Sequence, residues 1–166
     1  MVQGQQKVAC KTSRGFVIMQ VMKAKLNVSV GFNGQCQEAI EFYEAVFGIK
    51  AEIAGRYKDA PTSEGMPEGF DKPEYANYIM HAELKFDEHQ SIHMGDFPGT
   101  VPFSGAMGIS VSYDNVDKAK EVFKKLSQGG KVVQEIGKTF WSECYGNCTD
   151  KFGIDWQITV LEYDNK

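Results

Sequence analysis

The sequence predicts an α+β fold built from two tandem βαβββ modules. A helical pattern of apolar residues occurs twice, at 35–47 and 115–126, and each occurrence lies between segments whose apolar residues alternate as in strands. The two copies of this plan begin roughly 80 residues apart, which indicates an internal structural repeat. Single helices beside runs of antiparallel strands are typical of α+β folds. With 166 residues and a hydrophobic fraction of 42%, the chain can bury a core.

The first module begins with a strand predicted over 26–32, where apolar residues alternate with small or polar ones. In the helix that follows, apolar residues recur every three or four positions, at Cys36, Ala39, Ile40, Phe42, Tyr43, Val46 and Phe47. Gly48 is the predicted helix stop. Three more strands are predicted, over 50–56, 78–86 and 91–96. Alternation in 78–86 places Tyr78, Met80, Ala82, Leu84 and Phe86 on one face and Ile79, His81, Glu83 and Lys85 on the other.

A long loop is predicted over 57–77, which contains prolines and glycines and shows no periodicity. A loop of this length inside a compact domain is usually functional or disordered. Two alternatives follow for this segment: a disordered stretch, or a flap over a cavity.

The second module repeats the plan, with a strand over 107–113, a helix over 115–126 and a strand over 131–136. Asn115 is the expected N-cap of the helix. The module ends in a hairpin over 140–160, in which Asp150-Lys151-Phe152-Gly153 has the chemistry of a turn.

Three parts of the chain are therefore predicted: an N-terminal extension over 1–22 outside the fold, a first module over 23–104 that contains the loop, and a second module over 105–166. The apolar run of the extension is too short and too late for a signal peptide. Met22 is a second candidate for the start of the protein.

Composition and charge exclude several classes of function. The net charge is −4 with interspersed charges and no basic stripe, which argues against nucleic-acid binding. No apolar run approaches the roughly 20 residues that a membrane span needs. The four cysteines form no C-x-x-C pair and are predicted to be small, semi-buried hydrophobic side chains, as expected of a protein in the reducing cytoplasm.

His81 and Glu83 are the first candidates for catalytic residues. As an i, i+2 pair on a strand, they point to one face, opposite the apolar one, and His93 on the next strand alternates to the same side. Two imidazoles and a carboxylate on neighbouring strands can bind a metal or act as acid and base. A divalent metal is thus a candidate cofactor and His93 a candidate ligand. The alternatives are a partly solvated sheet face and a histidine that is hydrogen-bonded inside a cavity.

Further candidates for ligand binding lie at strand ends and in the last hairpin. Asp96 precedes Phe-Pro-Gly and is either an acid in a pocket or a turn cap. Trp141, Glu143 and Tyr145 share one face of a predicted strand and either line an apolar pocket with polar tips or pack in the core. Trp156 is expected in the core.

Four segments carry motifs that occur together: FNGQCQEAIEFYEAVFG at 32–48, MHAEL at 80–84, MGD at 94–96, and the final hairpin with W-x-E-x-Y-G followed by D-K-F-G-x-x-W. Together they resemble the PhnB-like subfamily of the vicinal-oxygen-chelate superfamily, which includes glyoxalase I, bleomycin-resistance proteins and extradiol dioxygenases. The resemblance covers about residues 25–162. It implies the two-module glyoxalase/bleomycin resistance/dioxygenase fold, a small molecule bound on a concave sheet face, and a homodimer.

In metal-dependent relatives, the first and last strands of each module each supply one metal ligand. The resemblance puts these positions near Asn27, His93, Gly108 and Gln157. His93 is a good ligand for a divalent metal, whereas Gly108 has no side chain and the two amides are poor ligands. The usual ligand set is therefore absent, and Asn27 and Gln157 are candidates for contacts with an organic ligand.

Three functions remain open at this point. The first is a PhnB-like protein that binds a small molecule in the sheet cavity. The second is a metal-dependent lyase, isomerase or dioxygenase-type enzyme with a non-standard site at His81, Glu83 and His93. The third is a protein that only sequesters its ligand, as bleomycin-resistance relatives do. A methyltransferase finds no support, because the sequence contains no Rossmann-type loop for S-adenosylmethionine.

Overall fold

The computed structural model describes residues 27–60, 69–70, 72–97, 99 and 107–160, and the backbone alone at 7–12 and 15–20. An N-terminal hairpin consists of β1 (Lys7–Thr12) and β2 (Gly15–Gln20). These two strands pair with each other and belong to neither of the larger sheets. It stays a prediction that residues 1–22 lie outside the fold of the two modules.

Two modules of identical strand order follow the hairpin. The first consists of β3 (Val28–Phe32), α1 (Cys36–Phe47), β4 (Ala51–Arg56), β5 (Ile79–Lys85) and β6 (Ser91–Asp96). The second consists of β7 (Ile109–Tyr113), α2 (Val116–Leu126), β8 (Lys131–Gly137), β9 (Tyr145–Thr149) and β10 (Asp155–Val160). The sheet orders are β3-β6-β5-β4 and β7-β10-β9-β8, and in each sheet only the pair of first and last strands is parallel. The predicted α+β fold of two βαβββ modules is confirmed.

The predicted start of α2 and the predicted end of α1 are both confirmed. Asn115 accepts a hydrogen bond from the backbone N–H of Lys118 at 2.9 Å, so its predicted role as N-cap of α2 is confirmed. Gly48 ends α1 with a φ of 72°, a left-handed conformation that glycine adopts without steric cost, and its N–H donates to the carbonyl of Glu44.

One hydrophobic core joins the two modules. Tyr43 and Phe47 of α1 lie against Trp156 of β10, with ring centroids 5.6 and 5.5 Å apart. Trp156 is fully buried, as predicted. Because α1 packs on its own sheet and also on the second one, both helix-covered sheet faces contribute to the same core. The other face of each sheet points away from this core and is called its open face below.

The turn predicted between the last two strands is confirmed at Asp150–Gly153. The N–H of Gly153 donates to the Asp150 carbonyl at 3.0 Å, and Gly153 has a φ of 88°. The buried Asp150 carboxylate accepts from the backbone N–H groups of Phe152 and Ile154 through Oδ1, at 2.9 and 3.0 Å. Its Oδ2 accepts from the Trp156 indole at 2.8 Å. The aspartate thus organises the turn and also holds the tryptophan in the core.

Two local predictions were wrong. Strand β9 begins at Tyr145, so Trp141 and Glu143 lie in the preceding irregular segment and do not share a strand face with it. At the start of β5, Ile79 is fully buried and Met80 is 38% exposed, the reverse of the predicted faces. The cause is an irregularity in the pairing with β4, which shifts the register between Gly55 and Arg56.

The long loop is partly ordered at its ends. Short 3₁₀ turns occupy Tyr57–Asp59 and Pro73–Tyr75, and the backbone N–H of Lys58 donates to the Ala76 carbonyl at 3.0 Å. Residues 61–68 and 71 lie outside the described residues, so the choice between a disordered stretch and a flap stays open. In the described part of the chain, no helix combines the length and apolarity that crossing a bilayer requires.

Candidate functional site

Three predicted site residues come together on the open face of the first sheet. His93 on β6 pairs directly with Glu83 on β5, and its Nε2 lies 3.5 Å from Glu83 Oε1. The His81 ring lies edge-on to the His93 ring, with centroids 5.0 Å apart. All three side chains are half-buried. His93 thus lies in contact with both His81 and Glu83, on a surface that solvent reaches.

The Glu83 carboxylate is held ionised by its neighbours. A hydrogen bond from Ser91 lowers its pKa most, and Lys85, whose Nζ lies 3.5 Å away, and His93 lower it further. Asn27 belongs to the same face, because its Oδ1 accepts a hydrogen bond of 3.2 Å from Ser91 Oγ. An ionised carboxylate can accept a proton from His93 or orient its ring.

Within the described residues, no hydrogen bond occupies the ring nitrogens of His81. It makes the ring contact with His93 and, within the described ranges, no hydrogen bond to another side chain or to the backbone. A half-buried imidazole without a protein partner is available to a ligand.

Glycines surround His81 on the neighbouring strands, a feature that our sequence reasoning missed. Gly55 pairs with His81, and Gly31 pairs with Gly95 across β3 and β6. A Cβ on Gly95 would lie 3.0 Å from the carbonyl oxygen of Met80, so the close approach of the strands requires glycine there. Glycines on three neighbouring strands were the available signal. They add no side chain of their own beside His81, although the methyl group of Met80 lies 3.6 Å from where a Cβ on Gly55 would be.

An aromatic cluster of Tyr57, Phe70 and Phe97 closes the same end of the sheet. Tyr57 directly follows β4 and Phe97 directly follows β6, whereas Phe70 comes from the long loop. The ring centroids of Tyr57 and Phe70 are 5.0 Å apart, and those of Phe70 and Phe97 are 6.2 Å apart. Phe97 remains 46% exposed and offers an apolar surface near the glycines. No periodic pattern in the sequence indicates this cluster, because its central member, Phe70, comes from the long loop.

Asp96 lies next to this face with its carboxylate turned into the fold. It is 2% exposed, and it accepts from the backbone N–H of Cys36 at 3.0 Å and from that of Ile79 at 2.9 Å. It therefore caps the N-terminus of α1 from β6 and fixes the start of β5. Both carboxylate oxygens accept hydrogen bonds from the protein backbone, at the starts of α1 and β5 and not in the turn that follows Asp96.

The other predicted ligand-binding residues belong to the second module. The Trp141 ring, 47% exposed, lies 5.7 Å from the Tyr145 ring. Gln157 is half-buried in the middle of the open face of the second sheet. Glu143 is exposed and paired with Lys138 at 2.9 Å, which lowers the pKa of its carboxyl. Among the described residues, no hydrogen bond or ion pair joins this group to the histidine group.

The strand register shifts the positions expected for metal ligands. Ser29, not Asn27, pairs with His93, and Ser110, not Gly108, pairs with Gln157. Hydroxyl and amide groups are poor ligands for divalent metals. Within the described ranges, no three His, Cys, Asp or Glu side chains are arranged to hold a metal ion. The residues present do not fit the metal centre of the metal-dependent relatives.

A cleft of about 540 Å³ opens at the seam between the modules, away from His81. Its walls are Val28, Phe86, Gln90, Ser91, Ile92, Ile109, Ser110, Val111, Ser112 and Tyr113. The only titratable group among these is the Tyr113 hydroxyl, whose pKa burial raises to about 12. The histidine face, where His93 contacts both His81 and Glu83, is therefore the stronger candidate for chemistry.

The fold and these positions can be compared with known proteins. A family model described as the glyoxalase/bleomycin resistance protein/dioxygenase superfamily matches residues 26–158. The chain belongs to this superfamily. The match spans both modules from the beginning of β3 to β10, so membership rests on the whole two-module fold.

Several relatives in the superfamily share about a quarter of their residues with this chain. Protein YjdN of Escherichia coli K12 is 28% identical over 143 residues, which are 82% of this chain and 95% of that protein. The crystal structure of protein PA1353 from Pseudomonas aeruginosa superimposes with a TM-score of 0.69 at 27% identity, over 85% of this chain and all of that one. A PhnB protein from Bacillus cereus, a candidate 3-demethylubiquinone-9 3-methyltransferase, gives a TM-score of 0.64 at 26% identity, over 83% of this chain and all of that one. The PhnB-like resemblance is confirmed.

Proposed function

We propose that this superfamily member binds a small organic molecule on the open face of the first sheet. The observation that carries the proposal is the contact of His81, His93 and Glu83 on a half-buried surface where His81 has no hydrogen-bond partner in the described chain. Ligand sites combine apolar walls with a few polar groups that fix orientation. Here the imidazoles supply the polar groups, and Tyr57, Phe70 and Phe97 supply the apolar wall.

The ligand class follows from these groups. Imidazole donates or accepts a hydrogen bond, so it pairs with hydroxyl, carbonyl or carboxylate oxygens. The glycines of the neighbouring strands add no side chains to this face, and the exposed part of Phe97 offers an aromatic ligand an apolar surface. An aromatic or dicarbonyl compound with oxygen substituents therefore suits the face.

The test is a thermal-shift screen with aromatic and dicarbonyl compounds and with divalent metals alone, followed by calorimetric titration of each hit. His81→Leu should keep the free energy of unfolding within about 1 kcal/mol and weaken binding roughly tenfold or more. His89→Leu makes the same chemical change at an exposed turn histidine and should leave affinity unchanged. Unfolding of the His81→Leu protein would assign His81 a structural role, and unchanged affinity in a folded variant would remove His81 from the binding site.

A second candidate function, acid–base catalysis, is favoured by the 3.5 Å contact between His93 and the ionised Glu83. A carboxylate beside an imidazole orients the ring and stabilises its protonated form. For any compound that the protein converts, Glu83→Gln should lower kcat more than it raises KM. Equal binding without turnover would favour the sequestration alternative.

We also propose that two copies of the chain pair, as the family resemblance implies. In support, no described element covers the open face of either sheet. Light scattering at micromolar concentration should give the mass of a dimer, and a monomer there would contradict the proposal.

A further inference from the structure

The two sheets carry matching rows of four side chains, one from each strand, at the same level of their open faces. In the first sheet the row consists of Ser29, His93, Glu83 and Glu52. In the second sheet it consists of Ser110, Gln157, Asn147 and Gln134. The internal repeat thus places a neutral row of one hydroxyl and three amides where the first module has ionisable groups.

The neutral row has free hydrogen-bonding capacity. Gln157 and Asn147 are half-buried in the middle of the sheet, and Ser110 and Gln134 are exposed on the strands at its two edges. Within the described part of the chain, none of these four side chains has a hydrogen-bond partner. Each amide offers one acceptor oxygen and two N–H donors in a plane, and the serine hydroxyl both donates and accepts. The row can therefore form hydrogen bonds with ligand groups that both donate and accept, such as hydroxyl groups.

An aromatic surface adjoins the row. Tyr145 lies two residues before Asn147 on β9, so both point to the same face. The Trp141 ring packs edge-on against Tyr145 and is 47% exposed. An exposed indole offers a flat apolar surface with a polar N–H at its edge.

We propose that the open face of the second sheet binds a neutral polyhydroxylated ring, that is, a sugar. The hydroxyl groups of such a ring both donate and accept, which matches the amides of Asn147 and Gln157. Its C–H face packs on Trp141. An anion is a poor match, because the row carries no cation and the nearby Lys138 is paired with Glu143 at 2.9 Å. A purely apolar ligand is a poor match as well, because it would cover the half-buried amides of Asn147 and Gln157 and give them no hydrogen-bond partner.

Tryptophan fluorescence can detect sugar binding at this face. The chain has two tryptophans, and Trp156 is fully buried with its indole N–H bonded to Asp150. A change of emission on titration with methyl glucoside, galactose or N-acetylglucosamine therefore reports on Trp141, and Trp141→Phe should abolish it. Glucose 6-phosphate, the charged counterpart, should bind more weakly than the neutral sugars.

Two variants remove the central amides. Asn147→Leu and Gln157→Leu should each raise the dissociation constant for the neutral sugar roughly tenfold or more. His93→Leu changes the matching position of the first row and should leave sugar affinity unchanged, as should His81→Leu. These controls separate the sugar site from the function proposed for the histidine face, so that either one can fail alone.

Three results would overturn the proposal. The first is that no neutral sugar alters Trp141 emission up to tens of millimolar. The second is sugar affinity that is unchanged in both amide variants. The third is a change of sedimentation coefficient in Gln157→Leu without any sugar binding by the unaltered protein, which would show that the row contacts a second copy of the chain.

Discussion

The hydroxyl of Tyr43 in α1 donates a hydrogen bond of 2.7 Å to Oδ2 of Asp150, 107 residues later in the second module. Both groups are buried, and burial, followed by the Asp150 carboxylate, raises the pKa of the Tyr43 hydroxyl, so that it stays a donor. The same carboxylate oxygen accepts from Trp156. One aspartate thus ties the helix of the first module to the last hairpin of the second.

Tyr43→Phe should destabilise the protein by about 1–3 kcal/mol, because it removes one donor from a buried carboxylate. Urea denaturation followed by circular dichroism measures the change. Tyr78→Phe is the matched control, since the Tyr78 hydroxyl lies 3.5 Å from Asn33 at an exposed site, and it should change stability little. Equal effects of the two variants would show that the bond to Asp150 does not couple the modules.

Asp96→Ala should cost about 2–4 kcal/mol, because the backbone N–H groups of Cys36 and Ile79 would lose their buried acceptor. Thermal unfolding in the absence of ligand measures the loss. Asp59→Ala removes a comparable bond to the backbone N–H of Arg56, at 3.3 Å and exposed, and should have a small effect. A stable Asp96→Ala protein that has lost ligand binding would instead assign Asp96 to the site.

Stability should fall at alkaline pH because the fold keeps two thiols neutral. Burial, and then Asp96, raises the pKa of Cys36 to about 12, and burial, and then Asp150 and Asp155, raises that of Cys148 to about 11. Above about pH 9 the unfolded chain releases these protons while the native chain retains them, so the free energy of unfolding decreases with pH. Denaturant titrations between about pH 8 and pH 11 measure the slope.

Cys148→Ala removes one of these groups and should make the slope shallower. The effect should appear only above about pH 9, the range in which an unfolded thiol ionises. A slope identical to that of the unaltered protein would mean that other groups cause the alkaline loss.

The long loop should be the first internal site of limited proteolysis. Cleavage is expected between Ala60 and Lys72, because the backbone of Lys58 is bonded to Ala76 while the proline-rich and glycine-rich composition begins beyond it. Proteinase K suits the experiment better than trypsin, since Pro73 follows Lys72. First cuts within α2 would contradict the predicted mobility of the loop.

A chain that begins at Met22 should melt at the same temperature as the full chain. The backbone of β1 and β2 pairs only within its own hairpin, so its removal breaks no strand pairing of either module. Differential scanning calorimetry of both chains tests this, with a deletion of β7 as a control that should prevent folding. A large loss of melting temperature would place residues 1–22 in the fold.

Elements that depend only on neighbouring residues could be predicted from the amino-acid sequence. The helices α1 and α2, their ends at Gly48 and Asn115, and the turn at Asp150 follow from apolar spacing and from residues that satisfy their own backbone. The repetition of one pattern then indicated two modules. The placement of His81 and Glu83 on the same face of one strand also followed from strand alternation alone.

Contacts between residues far apart in the chain could not be predicted from the sequence, because they form only when the strands and helices pack. The partner of Asp96 lies 60 residues away at Cys36, and no local pattern encodes that distance. Likewise, the register that sets Ser29 beside His93 depends on how β3 and β6 meet, and an irregular pairing with β4 reversed the faces of Ile79 and Met80. A shift of one residue exchanges the two faces of a strand, so a site built across strands is fixed only when the strands pair.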